Sequence, residues 1–310
     1  MTPCHGALIV LLALVPLARA ARVEAQAATT PQGSAEARHT LLVDGVTRSY
    51  LLYLPSGPRA GRALPLVLVF HGSGVRARAM ARHTGFTGVA EREGFAVAYP
   101  EGLDRRWNDG RGYGDSHDDV AFVRALLDSI GRQAAIDSSR VYATGISNGA
   151  MFAYRLACDL PGVLAAIAPV AGAVPAAIAE QCGGARPTAV VAFQGTADPL
   201  LPYTGGGRRT SGRGEVLSAE RSAELWARVN GCPDSPTPEA TIDSVRDGTR
   251  VLPERWWGCR GGRDVVLYTI EGGGHTWPGG PAVGRGVGRV SRELRATESI
   301  WAFFAAHPRS

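Results

Sequence analysis

The feature that most constrains the fold of this chain is the nearly continuous apolar run Leu64–Phe70, which ends in the glycine loop His71-Gly72-Ser73-Gly74. A strand that is apolar at successive positions is buried on both faces, which is typical of parallel sheets covered by helices. Further predicted strands and helices alternate along the chain. We therefore expect an α/β fold with a doubly wound, mostly parallel sheet. The other strands are predicted at Ala96–Tyr99, Arg140–Thr144, Ala165–Val170, Ala189–Gln194 and Val265–Ile270, and the helices at Thr84–Glu93, Val120–Gln133, Ala150–Cys158, Ala219–Val229 and Arg292–Ala306.

An antiparallel hairpin is predicted before this alternation. The stretch Thr40–Leu54 has the alternating, β-branched pattern of strands and is interrupted by Asp44-Gly45. An Asp-Gly pair readily adopts the positive φ angles of a two-residue hairpin turn. The sheet is therefore expected to begin with an antiparallel pair.

The string Gly145-Ile146-Ser147-Asn148-Gly149 has the Gly-x-Ser-x-Gly pattern of a nucleophilic serine. Because the chain contains 40 glycines, the pattern alone is weak evidence. Its context is stronger, since a predicted strand precedes it and a predicted helix follows it. A serine at such a tight turn has its Oγ exposed, and the helix N-terminus behind it favours developing negative charge. We expect Ser147 to be the nucleophile.

A serine hydroxyl needs a general base, and the base needs a carboxylate that orients it. Of the seven histidines, His275 is the one that lies between the last predicted strand and the last predicted helix, in a glycine-rich loop. Asp198 follows the strand Ala189–Gln194, which gives the order Ser, Asp, His that accompanies this serine motif. The alternative for Asp198 is a turn residue before Pro199.

The rest of the site is less constrained by the sequence. The expected oxyanion donors are two backbone N–H groups, that of Asn148 and one from the loop after Phe70, that of Ser73. Trp107, Tyr113 and Trp277 are candidates to line the substrate pocket, with simple packing as the alternative.

Four strings together resemble the secreted polyhydroxybutyrate depolymerase-like and feruloyl esterase-like α/β-hydrolases. They are His71-Gly72, Gly145-Ile146-Ser147-Asn148-Gly149, Gly195-Thr196-Ala197-Asp198 and Gly274-His275-Thr276-Trp277-Pro278-Gly279, and the resemblance covers about Thr40 to Phe304. It implies an α/β-hydrolase fold, a signal peptide and hydrolysis of carboxylic esters by Ser147, Asp198 and His275. The sequence departs from the pattern at Ser73, where related sequences often have Cys.

The expected substrate is a small or oligomeric ester of a hydroxyalkanoate, and no cofactor is expected. Feruloyl esters and acetylated xylan or other plant polysaccharides are the alternative substrates, because the fold does not decide among esters. An acyltransferase or a catalytically inactive binding module is the rival class. The sequence leaves the oligomeric state open.

The N-terminal residues 1–27 have the features of a signal peptide. The apolar run Gly6–Ala18 is too short to span a membrane, and small residues follow that predict cleavage after residue 20 or 27. The alternative is an anchored N-terminus. We expect a flexible lead-in over 28–39, a single catalytic domain over 40–310, no stable membrane insertion, and secretion to the extracellular space or the periplasm.

The cysteines outside the signal segment are four, an even number that suggests disulfides in an exported protein. Three pairings are open, and four buried thiols are the alternative. We prefer Cys158 with Cys182 and Cys232 with Cys259, because sequential pairing closes two moderate loops and does not cross the predicted catalytic region.

The charge pattern and the acidic residues argue against a nucleic-acid-binding protein and against a metal site. The net charge is +5, and no block of like charges forms a nucleic-acid stripe, so we expect no nucleic-acid partner. The acidic stretch Asp115-Ser116-His117-Asp118-Asp119 precedes a predicted helix, where helix caps are expected, and adjacent side chains diverge. We therefore predict no metal site. Asp118 or Asp119 is a candidate to orient the active-site loops.

Overall fold

The computed structural model describes residues 36–56, 62–112, 117–206, 214–282 and 286–309, together with residues 1 and 284. Its strands are β1 (Ala37–Val43), β2 (Val46–Tyr53), β3 (Leu64–Phe70), β4 (Ala96–Glu101), β5 (Ile136–Ile146), β6 (Ala166–Val170), β7 (Ala189–Gly195), β8 (Thr237–Pro238), β9 (Arg250–Trp256) and β10 (Val265–Glu271). Its helices are α1 (Ala77–Thr84), α2 (Phe86–Glu93), α3 (Asp119–Gln133), α4 (Asn148–Asp159), α5 (Ala179–Gly183), α6 (Ala219–Asn230) and α7 (Ala296–Ala306).

Within the described ranges, ten strands form one sheet in the order β1-β2-β4-β3-β5-β6-β7-β10-β9-β8. The six central strands, from β4 to β10, run parallel to one another. The pairs β1–β2 and β2–β4 at one edge and β10–β9 and β9–β8 at the other are antiparallel. The predicted mostly parallel sheet with an antiparallel N-terminal hairpin is therefore confirmed.

The hairpin turn has the predicted residues. Asp44 and Gly45 have φ angles of 48° and 80°, the two positive values that a two-residue turn of type I′ requires. β1 begins at Ala37, so residues 37–39 belong to the sheet and not to the lead-in that the sequence suggested.

Helices cover both faces of the sheet, and β3 shows how the core is divided between them. All of its residues are buried. Leu66, Leu68 and Phe70 pack in the cluster that includes side chains of α3, α4 and α6. Val67 and Val69 pack in the opposite cluster with α1, α2 and α7. Because successive side chains of a strand point to opposite faces, only a strand that is apolar throughout can fill both clusters.

Several elements differ from the prediction. The helix predicted over Thr84–Glu93 corresponds to α2, which begins at Phe86. The preceding helix α1 was missed; it is ended by Gly85, whose φ is 67°. The last helix begins at Ala296 and not at Arg292. The strand β9 was missed, because Pro253 and its charged neighbours interrupt the apolar pattern by which the interior strands are recognised.

Both disulfides of the preferred pairing form in the structure. The bond between Cys158 and Cys182 joins α4 to α5, and the bond between Cys232 and Cys259 joins the end of α6 to the β9–β10 connection. The predicted signal segment and most of the lead-in lie outside the described residues, as does Tyr113. No helix in the described part of the chain is long and apolar enough to cross a membrane.

Candidate active site

Ser147 lies at the turn between β5 and α4, as the motif predicts. Its φ of 59° and ψ of −121° lie in a region that residues with a side chain rarely adopt. Such a backbone conformation costs about 1–3 kcal/mol. A Cβ on Gly145 or Gly149 would lie 2.7 Å or 2.4 Å from the backbone oxygen of Phe70. Both glycines are therefore required, because β3 passes directly beside the turn.

His275 and Asp198 are brought together from the ends of β10 and β7. Nδ1 of His275 lies 2.7 Å from Oδ2 of Asp198. The other carboxylate oxygen accepts backbone N–H bonds from Leu200 and Leu201, both at 2.8 Å. The Asp198 side chain has no exposed surface, so these donors inside the protein stabilise the carboxylate in place of water. An imidazole that donates from Nδ1 has Nε2 left as the proton acceptor.

A cavity of about 550 Å³ contains both Ser147 and His275 in its wall. Ser73 and Asn148, the two expected sources of oxyanion donors, line the same cavity. His83 lies in this wall too, and burial lowers the pKa of its imidazole. The rest of the wall is largely apolar, with Val75, Ala79, Met80, Ile146, Met151, Leu200, Leu201 and Val287 among its residues. The site can therefore receive an apolar group next to the serine.

The loop after β3 is fixed by the buried side chain of His71. Its Nδ1 donates to the carbonyl oxygen of Gly72 at 2.9 Å, and its Nε2 accepts from the backbone N–H of Gly102 at 2.9 Å. This pattern requires a neutral ring. Burial, the main cause, lowers the pKa of His71 and keeps the ring neutral. The loop that contains Ser73 is thereby held in place.

The side chain of Asn148 binds a second loop to the serine turn. Its Oδ1 accepts from the backbone N–H of Trp107 at 2.8 Å, and its Nδ2 donates to the carbonyl oxygen of Trp107 at 2.9 Å. Nδ2 also donates to Asp109 at 2.7 Å. From the sequence, only a backbone role was expected for Asn148. Its side-chain role was missed, because the partners lie 39 and 41 residues away and no local pattern connects them.

The two tryptophans proposed as pocket residues do not line the cavity that contains Ser147. Trp107 is 1% exposed, stacks on Phe152, and donates from Nε1 to the carbonyl oxygen of His71 at 3.0 Å. Trp277 is also 1% exposed and donates from Nε1 to Thr297 at 3.0 Å. Both are packing residues, because each polar N–H is satisfied inside the protein. Tyr113 lies outside the described residues.

The acidic residues before α3 have structural roles. Asp118 caps the helix by accepting from the backbone N–H of Ala121 at 2.9 Å. Asp119 pairs with the buried Arg48 and accepts from the backbone N–H of Asn108 at 2.7 Å, so it does orient the loop beside the site. Among the described residues, no group of three or more His, Cys, Asp and Glu side chains is arranged to hold a metal ion.

The sheet order and the serine at the β5–α4 turn are those of an α/β hydrolase. The chain belongs to the Esterase PHB depolymerase family, whose model matches residues 48–190, and it is therefore a hydrolase that acts on carboxylic esters. NocK of Nocardia uniformis subsp. tsuyamanensis, described as a candidate esterase, is 35% identical over 282 residues, which cover 84% of this chain and 79% of that protein.

Two further proteins are similar to this chain. Feruloyl esterase B of Piromyces equi is 30% identical over 236 residues, which cover 74% of this chain but only 42% of that protein. The solved structure of the acetyl xylan esterase from Aspergillus awamori superposes with a TM-score of 0.53 at 17% identity, over 82% of this chain and 94% of that one. That structural likeness supports the fold alone.

Proposed function

We propose that Ser147, His275 and Asp198 form a catalytic triad. Oγ of Ser147 attacks the ester carbonyl, and Nε2 of His275 takes its proton and passes it to the leaving alcohol. Asp198 holds the ring in the tautomer that leaves Nε2 free. What supports this proposal is the bond of 2.7 Å between Asp198 and His275 and the presence of His275 and Ser147 in one cavity wall.

The second half of the reaction repeats the proton transfers with water. Water attacks the acyl-enzyme while His275 accepts its proton, and the acid is released as Ser147 regains its hydrogen. The negative charge on the tetrahedral intermediate is stabilised by the backbone N–H groups of Ser73 and Asn148. Loss of one such donor typically raises the barrier by about 3 kcal/mol.

The proposed substrates are small or oligomeric esters of hydroxyalkanoates. The family match and the largely apolar cavity support this class, because short aliphatic acyl groups suit such a wall. Feruloyl or acetylated polysaccharide esters are a second candidate, since several relatives are named feruloyl esterases. We also propose that the enzyme works outside the cytoplasm, which is consistent with its two disulfides.

The catalytic assignment is tested with 4-nitrophenyl butyrate. We expect Ser147→Ala to lower kcat by about 10⁵-fold or more. Ser73→Ala is the matched control, because it changes a serine in the same cavity wall and keeps the backbone N–H. Activity retained in Ser147→Ala at an unchanged melting temperature would refute the triad.

The substrate is tested with three unmodified esters. Wild-type enzyme is compared on 3-hydroxybutyrate oligomers, methyl ferulate and acetylated xylan, and we expect the highest kcat/KM on the oligomers. Product analysis with an added alcohol separates hydrolysis from acyl transfer, since a transferase would yield the new ester in place of the free acid.

A further inference from the structure

Arg111 is a permanently charged residue in the wall of the cavity that contains Ser147. Among the described residues that line the cavity with Ser147, it is the one Arg, Lys, Asp or Glu. Its side chain is 6% exposed. A guanidinium that is largely removed from water interacts with an anion more strongly than a surface cation does, because the surroundings screen the charge less.

The position of Arg111 is fixed relative to the nucleophile. Its Nε and Nη2 donate to the carboxylate of Asp109 at 3.0 Å and 2.7 Å. Asp109 in turn accepts from Nδ2 of Asn148, the residue that follows Ser147, at 2.7 Å. The guanidinium is therefore held in a preformed orientation and does not have to be ordered by a ligand.

One edge of the guanidinium remains for a ligand. The bonds to Asp109 use Nε and Nη2, and no described residue accepts from Nη1. A guanidinium has five N–H donors in a planar arrangement that matches a carboxylate. Asp109 offsets part of the charge, but it contacts the other edge of the group and leaves Nη1 to contact a second carboxylate.

We propose that Arg111 binds the terminal carboxylate of an acid-terminated hydroxyalkanoate oligomer, an inference that rests on the proposed function. Such an oligomer has one free carboxylate, at one end of a chain of ester bonds. Recognition of that end selects the ester bond nearest to it for attack by Ser147. The leaving alcohol is then the terminal hydroxy acid, which takes its proton from His275 and carries the carboxylate away.

The test compares two forms of the 3-hydroxybutyrate dimer, the free acid and its primary amide. The two share one scissile ester and differ in the terminal charge. We expect wild-type enzyme to prefer the acid by about 30-fold or more in kcat/KM, as for a charge pair at a partly desolvated site. In Arg111→Gln we expect the preference to disappear, so that the acid and the amide have about equal kcat/KM. Arg111→Lys should retain part of the preference because the positive charge remains.

A surface cation provides the matched control. Arg78→Gln removes an exposed positive charge from α1, the helix whose Ala79, Met80 and His83 line the cavity. We expect Arg78→Gln to keep the wild-type preference for the acid. A similar loss of preference in Arg78→Gln and Arg111→Gln would show long-range steering and overturn the proposal.

The remaining outcomes separate this proposal from the proposed function. If Arg111→Gln lowers hydrolysis of the acid and the amide equally, Arg111 acts only by holding Asp109, and the proposal is wrong. If wild-type enzyme cleaves neither dimer, the hydroxyalkanoate assignment fails, and the same pair is then used to inhibit hydrolysis of 4-nitrophenyl butyrate. Stronger inhibition by the acid that disappears in Arg111→Gln supports the carboxylate site, and equal inhibition by both compounds overturns it.

Discussion

Replacing Asn148 with alanine removes the side chain that connects the serine turn to the loop containing Trp107. Asn148 is 1% exposed and makes three hydrogen bonds, two to the backbone of Trp107 and one to Asp109. Alanine cannot replace any of them. Two backbone groups of a buried tryptophan and one carboxylate oxygen then lose a partner in a region with little access to water.

The size of the effect follows from these three bonds. At about 1 kcal/mol for each, Asn148→Ala is expected to lower the free energy of unfolding by about 3 kcal/mol. In a domain of this size 1 kcal/mol corresponds to about 3 °C, so the melting temperature should fall by about 9 °C. The loop that contains Trp107 also holds the segment after β3, through the bond from its indole N–H to His71. We therefore expect kcat to fall by about tenfold or more, because small displacements of reacting groups raise the barrier.

Asn230 is a matched control on the other side of the molecule. It is fully buried and makes the same pattern of bonds: Oδ1 accepts from the backbone N–H of Thr188 at 2.9 Å, and Nδ2 donates to the carbonyl oxygens of Thr188 and Arg263 at 2.8 Å and 2.6 Å. Asn230→Ala should therefore lose a similar amount of stability. Since Asn230 does not line the cavity with Ser147, kcat should stay near its wild-type value.

The assay measures thermal unfolding and hydrolysis of 4-nitrophenyl butyrate for the three proteins, well below the lowest melting temperature. We expect two equal losses of stability and one loss of kcat. An unchanged melting temperature in Asn148→Ala, or equal losses of kcat in Asn148→Ala and Asn230→Ala, would refute the structural role of the Asn148 side chain.

Two further predictions concern His71 and Gly149. Burial lowers the pKa of His71 below the ordinary value, so its neutral ring stabilises the fold fully above about pH 6.5, and this contribution is lost as the pH falls through the folded-state pKa. The melting temperature of the wild type should therefore fall more steeply between about pH 7 and pH 5 than that of His71→Gln, and parallel curves would contradict this. Gly149→Ala should yield little soluble, active protein, because the added Cβ would lie 2.4 Å from a backbone oxygen at the end of β3. Gly131→Ala, at an exposed position in α3 with nothing within 4 Å of the added Cβ, should express normally and gain about 0.5–1 kcal/mol of stability; equal soluble yields would contradict the steric argument.

Much of the fold could be predicted because its signals are local. The apolar run of β3 must be buried on both faces, and Asp44-Gly45 must turn the chain. The positions of Ser147, Asp198 and His275 followed from their place after predicted strands, since the carboxyl ends of parallel strands meet at one edge of the sheet. A local pattern was sufficient in each case.

The contacts around these residues could not be predicted, because they join segments that are distant in the sequence. From the sequence, Trp107 was a candidate to line the pocket, with simple packing as the alternative. In the structure its ring is enclosed by Phe70, Phe152 and Phe122, and its polar groups bind His71 and Asn148. Its role depends on three other segments, so the sequence around Trp107 could not distinguish packing from substrate binding.

The two expected oxyanion donors belong to different segments, and a third segment sets the distance between them. Ser73 follows β3 and Asn148 follows β5. The loop with Trp107 binds the first segment through its indole N–H and the second through its backbone N–H and carbonyl oxygen. Because these bonds use different atoms of one rigid residue, neither donor segment can move far without breaking one of them. If the proposed mechanism holds, substitutions in this loop should change kcat without any contact with the substrate.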